Sequence, residues 1–107
     1  MERISRGEIW IIEPVGYSKP RPALVISVNP INDLCPDVLV VPITTKEGPL
    51  RVLLSEQPTL SGLKMKSFAK CESLGPVHNA RLKKRIGRVS KTDFLKIEEG
   101  VKKVLGL

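Results

Sequence analysis

Apolar residues in this chain fall into short, β-branched runs cut by turn residues, until the last fifth, where their spacing becomes helical. Gly7-Glu8-Ile9-Trp10-Ile11-Ile12-Glu13, stopped by Pro14, predicts a first strand over 7–13 with Trp10 in the core. Pro14-Val15-Gly16-Tyr17-Ser18-Lys19-Pro20 is rich in turn formers and reads as a loop. Strands follow over 21–28 and 38–44, nearly continuous apolar runs that belong in the middle of a sheet covered on both faces. Between them, 29–37 is a loop or a single helical turn. Proline cannot donate to a ladder, so Pro22 fits a strand start and Pro42 predicts a bulge or an unpaired stretch just before Thr44. A turn at Lys46-Glu47-Gly48-Pro49 leads to a fourth strand over 50–55, a loop over 56–66, and a fifth strand over 67–74. In the fifth, Phe68, Lys70, Glu72 and Leu74 alternate with Ala69, Cys71 and Ser73.

Ser90 precedes Asp93 by three residues, the signature of an N-cap with an acidic first turn. Phe94, Ile97, Val101, Val104 and Leu105 then recur at helical spacing and Gly106 closes the segment, so the chain ends in an amphipathic helix packed through its apolar stripe. Gly100 inside it costs about 1 kcal/mol relative to alanine. The expected fold is mainly β with a C-terminal helix: a small, strongly bent antiparallel barrel with the helix on it. A length of 107 residues accommodates one domain, 1–107, with a modest core.

Charge adds a partner. A formal net charge of +7 on so small a domain favours a polyanion, either nucleic acid or an acidic protein, although a basic solvated surface accounts for charge alone. The run Asn79-Ala80-Arg81-Leu82-Lys83-Lys84-Arg85-Ile86-Gly87-Arg88 fits a solvated face or a phosphate-contacting patch. Cys35 and Cys71 lack the spacing of a zinc or redox pair and read as free thiols. No apolar run approaches the roughly 20 residues that cross a bilayer, and the N-terminus leads straight into a strand pattern; a cytoplasmic protein is expected. The single histidine, His78, has no carboxylate at metal-ligand spacing, and the phosphate-loop, dinucleotide, zincin and serine-hydrolase motifs are all missing.

What remains for chemistry are strand ends. Arg21 opens one central strand with a planar, permanently charged fork that matches two phosphate oxygens; Thr44, or less favourably Thr45, closes the other with a hydroxyl that can donate to a phosphoryl oxygen. RNA is a substrate that such a pair can act on without a metal or other cofactor, because its 2′-hydroxyl is a built-in nucleophile. Taken singly, Arg21 also fits a surface ion pair, and Thr44 a β-branched strand residue.

Arg6-Gly7-Glu8-Ile9-Trp10, Arg21-Pro22-Ala23-Leu24-Val25-Ile26-Ser27, Val40-Val41-Pro42-Ile43-Thr44, and the ending from Ile86-Gly87-Arg88-Val89-Ser90 to Val104-Leu105-Gly106-Leu107 together resemble the MazF/PemK family of toxin endoribonucleases, in order over nearly the whole chain. The resemblance implies a barrel of the Src-homology-3 type (the CcdB/PemK-like toxin fold), a homodimer, and sequence-specific, metal-independent cleavage of single-stranded mRNA to a 2′,3′-cyclic phosphate and a 5′-hydroxyl. It puts the catalytic arginine at Arg21 and the threonine at Thr44. Candidate RNA contacts are Tyr17, Lys19, Thr45, Lys46, Lys70, His78 and Arg81. It also implies an antitoxin with an acidic, disordered tail, and contact with DNA only through the antitoxin complex. Two departures stand out: the loop before Arg21 is short, and Ser73-Leu74-Gly75-Pro76 replaces a Gln-Ile-Arg-Thr-like segment. They motivate an alternative, a relative that binds RNA, or a target such as DNA gyrase, without cleaving RNA.

Overall fold

The computed structural model describes residues 2–13 and 19–107. Seven strands form one antiparallel sheet: β1 (Glu8–Ile12), β2 (Arg21–Val25), β3 (Asp37–Thr44), β4 (Val52–Leu53), β5 (Phe68–Ala69), β6 (Gly75–His78) and β7 (Leu82–Arg88). Their spatial order is β4-β5-β3-β2-β1-β7, with β6 also paired to β3. Helices α1 (Asn29–Leu34), α2 (Pro58–Ser61) and α3 (Lys91–Leu105) complete the fold.

As their apolar runs demand, β2 and β3 are central and covered on both sides. One face carries Trp10, Ile12, Ala23, Val25, Val38, Val40 and Leu82. The other carries Ile9, Leu24, Val41, Ile43, Ala69 and Cys71 beneath Phe94, Ile97, Val101 and Val104 of α3. This period-two division leaves Trp10 only 4% exposed, its indole N–H donating to Glu8 Oε1 at 3.1 Å. Register shifts between β1 and β7 curve the sheet over the first cluster. The sheet is strongly bent but open: among the described residues, β6 and β7 are joined by a 3₁₀ turn at Asn79–Arg81 without pairing to each other.

Several expected elements are redrawn. The fifth strand stops at Ala69, a 3₁₀ turn covers Cys71–Ser73, and Gly75–His78 becomes a separate strand on β3. The basic run holds a strand, β7, because its pairing with β1 satisfies the backbone wherever the side chains point. Pro42 is not bulged: it stands opposite Ala23 in an unbroken β2–β3 register, and its carbonyl accepts from Lys70 N at 2.8 Å. It falls where β3 exchanges one neighbour for another, β6 ending at Val40 and β5 beginning at Ile43, so its missing N–H lies at a seam. The fourth strand contracts to Val52–Leu53, and Leu105 leaves the helical stripe for solvent at 55% exposure.

The helix is secured at both ends. Ser90 Oγ accepts from Asp93 N at 3.1 Å and Gly106 closes it in the left-handed conformation. The buried Asp93 carboxylate receives Ser55 N and Oγ, each at 2.9 Å, which ties the helix start to the segment after β4. Gly100 has a packing reason, since a Cβ there would sit 2.8 Å from Cys71 Sγ. Burial pushes the Cys71 thiol above its ordinary value, with Glu72 adding to the effect, so Cys71 is a small core residue. Gly87 is tighter still: a Cβ there would overlap the backbone of Leu60 and Ser61, where α2 lies directly on β7. Gly87→Ala should therefore cost about 2 kcal/mol or more, seen as a lower urea midpoint at unchanged slope.

Candidate active site

The pairing of β2 with β3 determines what meets. Its last paired residues toward the open end are Ala23 and Pro42; two residues farther along each strand lie the strand ends, Arg21 and Thr44. Side chains alternate, so both project from one end of the sheet and from the face opposite α3. On the other side of β3, Phe68 stands opposite Thr44. Ala69 and Cys71 belong to the α3-side cluster, which puts Phe68 and Lys70 on the same face as Thr44. Leu53 of β4, nearly half exposed, continues the line beyond Phe68. One transverse line across four strands thus runs Leu53, Phe68, Thr44, Arg21, with Lys70 beside it.

Charge compensation differs among the basic residues. Of the four β7 cations, two are held by acids in and around β1, Lys83 by Glu13 at 3.2 Å and Arg85 by Glu2 at 2.9 Å and Glu8 at 3.1 Å, while Lys84 and Arg88 have no ion-pair partner among the described residues. Arg81 donates its Nε to the Glu13 carbonyl at 3.0 Å. Among the described residues no ion pair engages Lys19, Arg21, Lys46 or Lys70 either. Arg21, Lys19 and Lys46 are exposed and Lys70 is half-buried. An approaching polyanion meets uncompensated charge at the Arg21–Thr44 end, while Lys83 and Arg85 of β7 are already paired.

Thr44 is oriented by its own turn. Its Oγ1 accepts from Lys46 N at 3.2 Å, which uses a lone pair and leaves the hydroxyl proton free to donate outward. That turn is gripped by two residues that the sequence reading did not single out for a role. Arg51, its side chain only 17% exposed, donates NH1 to the Lys46 carbonyl at 2.8 Å and Nε to Glu72 Oε2 at 3.0 Å. Partial desolvation pushes the Glu72 carboxyl up, but a backbone N–H, the Arg51 hydrogen bond and charge, and the Lys70 charge outweigh it and hold the group below its ordinary value. Leu50, at φ 61, is the one non-glycine residue in the left-handed region among those described, and it closes the same turn.

The remaining predicted residues divide. Thr45 lies in the gripped turn, beside Thr44. His78 pairs with Asp37 at the far end of β3, on the order of 20 Å of strand from Thr44. Its Nδ1 accepts from Ala80 N at 3.0 Å, a capping role for the 3₁₀ turn. Tyr17 and most of the shortened loop lie outside the described residues. The departure at Ser73–Pro76 has become the end of the 3₁₀ turn and the start of β6, with Pro76 exposed and opposite Leu39.

A family model described as the PemK-like, MazF-like toxin of type II toxin-antitoxin systems matches residues 5–105. The chain belongs to that family. The match takes in both strand ends, Arg21 and Thr44, and the whole sheet. Endoribonuclease MazF9 of Mycobacterium tuberculosis is 34% identical, over 95% of this chain and 96% of its own length. A probable endoribonuclease MazF of Mycolicibacterium smegmatis is 30% identical over the same shares. In fold, the chain superposes with a TM-score of 0.83 on a mycobacterial endoribonuclease solved in complex with its cognate antitoxin, at 23% identity, covering 100% of this chain and 97% of that one. For this MazF/PemK chain, the ion pair in the turn has a defined pH signature. Because the folded Glu72 value lies below the unfolded one, the pair stabilises the fold above the ordinary carboxylate range and its contribution is lost as pH falls through the depressed value. The Tm difference between wild type and Glu72→Gln should thus be present at pH 7 and close on acidification below the ordinary carboxylate range.

Proposed function

We propose that this protein is the toxin of a toxin-antitoxin pair and cleaves single-stranded mRNA by charge stabilisation at Arg21 and Thr44. The observation that carries the reading is that an uncompensated guanidinium and an outward-facing hydroxyl end adjacent strands on one face of the sheet. In the reaction the substrate 2′-oxygen forms a bond to phosphorus and loses its proton, while the bond from phosphorus to the 5′-oxygen breaks and that oxygen gains a proton. The products are a 2′,3′-cyclic phosphate and a 5′-hydroxyl. Arg21 holds two non-bridging oxygens as negative charge builds on them, and Thr44 donates to one of them and fixes the phosphate in line. The residues that converge are cations and hydroxyls, donors suited to phosphoryl oxygens and not to a metal ion, so this chemistry proceeds without one. Lys19, Lys46 and Lys70 contact neighbouring phosphates, and His78 serves the fold instead.

The antitoxin in this reading is acidic, drawn by the net charge of +7, and covers the same cations. The protein acts in the cytoplasm, where mRNA lies; no described helix is long and apolar enough to cross a membrane. Two copies form a homodimer through α1 and the start of β3, where Val28, Ile31, Leu34, Leu39 and Pro76 are exposed, Leu34 at 84%. Of the two acids in this patch, Asp33 is occupied by Arg3 at 3.1 Å and Asp37 has no ion-pair partner among the described residues, so the patch carries no excess of positive charge and two strongly basic chains can meet here with little repulsion.

Purified protein incubated with long single-stranded RNA in chelator should yield fragments with 5′-hydroxyl ends. Arg21→Ala should lower kcat about 10³-fold and Thr44→Val about 10²-fold, with folding unchanged by circular dichroism. Intact RNA across varied sequences, bound or not, would contradict the enzyme reading. Sedimentation should show a dimer for wild type and a monomer for Leu34→Asp; a dimer in both would move the interface elsewhere.

A further inference from the structure

The turn after Thr44 is held more firmly than a connection to a two-residue strand requires. Lys46 is gripped on both sides of its backbone: its N–H donates to Thr44 Oγ1 at 3.2 Å, and its carbonyl accepts from Arg51 NH1 at 2.8 Å. Arg51 cannot swing away, because Glu72 holds its Nε at 3.0 Å from the 3₁₀ turn after β5. Its own N–H bonds the Gly48 carbonyl at 3.3 Å. Gly48 completes the fit, since a Cβ there would lie 3.0 Å from Arg51 Nε and 3.1 Å from Cζ, so the guanidinium lies flat against the turn. The left-handed Leu50 next to Arg51 is a local cost, on the order of 1 kcal/mol, that these contacts sustain.

We propose that Arg51, braced by Glu72, is a positioning residue that aims the Thr44 hydroxyl through the backbone of Lys46. This rests on the reading of Arg21 and Thr44 as the phosphate site. Arg51 is largely buried and directs its Nε and NH1 donors inside the protein, so it acts through Thr44 and not on the substrate. With the clamp in place the Lys46 N–H occupies the acceptor side of Thr44 Oγ1 and the proton points to the phosphoryl oxygen. Without it the turn relaxes, the hydroxyl samples other rotamers, and a shift on the order of 1 Å is enough to cost up to about a hundredfold in rate.

Two measurements test the clamp. In the free protein, hydrogen exchange should show a protected Lys46 amide that becomes fast in Arg51→Ala, with the amides of β2 and β3 unchanged. In single-turnover cleavage, Arg51→Ala should lower kcat roughly ten- to a hundredfold with KM within about twofold, and Arg51→Lys, which keeps one donor and the charge, should recover part of the loss. Introduced into Thr44→Val, the same change should cost almost nothing more, because the group it aims is gone. Full additivity of the two substitutions, or an unchanged kcat in Arg51→Ala, would overturn the proposal while leaving the nuclease reading intact. An inactive wild type would overturn the nuclease reading and this proposal with it. A Lys46 amide already unprotected in wild type would overturn the clamp alone.

Discussion

The structure turns on the antiparallel pairing of β2 with β3. Both strands are apolar on both faces, and burying two faces forbids a slip of register, since a one-residue shift would trade every side chain between the two clusters. Once Ala23 faces Pro42, the two strand ends have no freedom left: Arg21 and Thr44 emerge from one end and one face. The core and the candidate site are therefore one constraint. Arg21 is an exposed guanidinium that no acid in the described structure engages, so no ion pair accounts for its position.

Electrostatics then divides the surface. Glu8 of β1, Glu13 just after it and Glu2 pair with Lys83 and Arg85, so half of the β7 cations are neutralised where they stand. The face bearing Arg21, Lys46 and Lys70 has no such compensation among the described residues beyond the Arg51–Glu72 pair, and that pair is turned inward to hold a loop. A chain of +7 thus keeps free charge at the end where a phosphate would need it.

Much of this was legible in the residues because periodicity and continuity report burial directly. The runs over β1, β2 and β3 and the helical stripe of α3 were readable, as were Trp10 in the core and the cap at Ser90. What stayed hidden depends on distant partners. β7 reads as a solvated charge run because, apart from Leu82, its burial is slight and its acids lie on β1. The alternation from Phe68 to Leu74 looks like one strand, yet it turns after Ala69 so that β6 can pair lower on β3. His78 is a candidate RNA contact in the sequence, and only its pairing with Asp37 reveals that it lies at the end of β3 far from Thr44. The link from Arg51 to Glu72 spans 21 positions, and no local pattern announces it.

The most direct test of the central claim is a crystal structure of the protein with an RNA oligonucleotide whose 2′-hydroxyl is removed at the mapped cleavage site, so that the substrate binds but cannot react. The account predicts the scissile phosphate between Arg21 and Thr44, with the guanidinium and the threonine Oγ1 each about 3 Å from a non-bridging oxygen. A scissile phosphate seated instead along the paired cations of β7, with Arg21 and Thr44 free of contact, would contradict it.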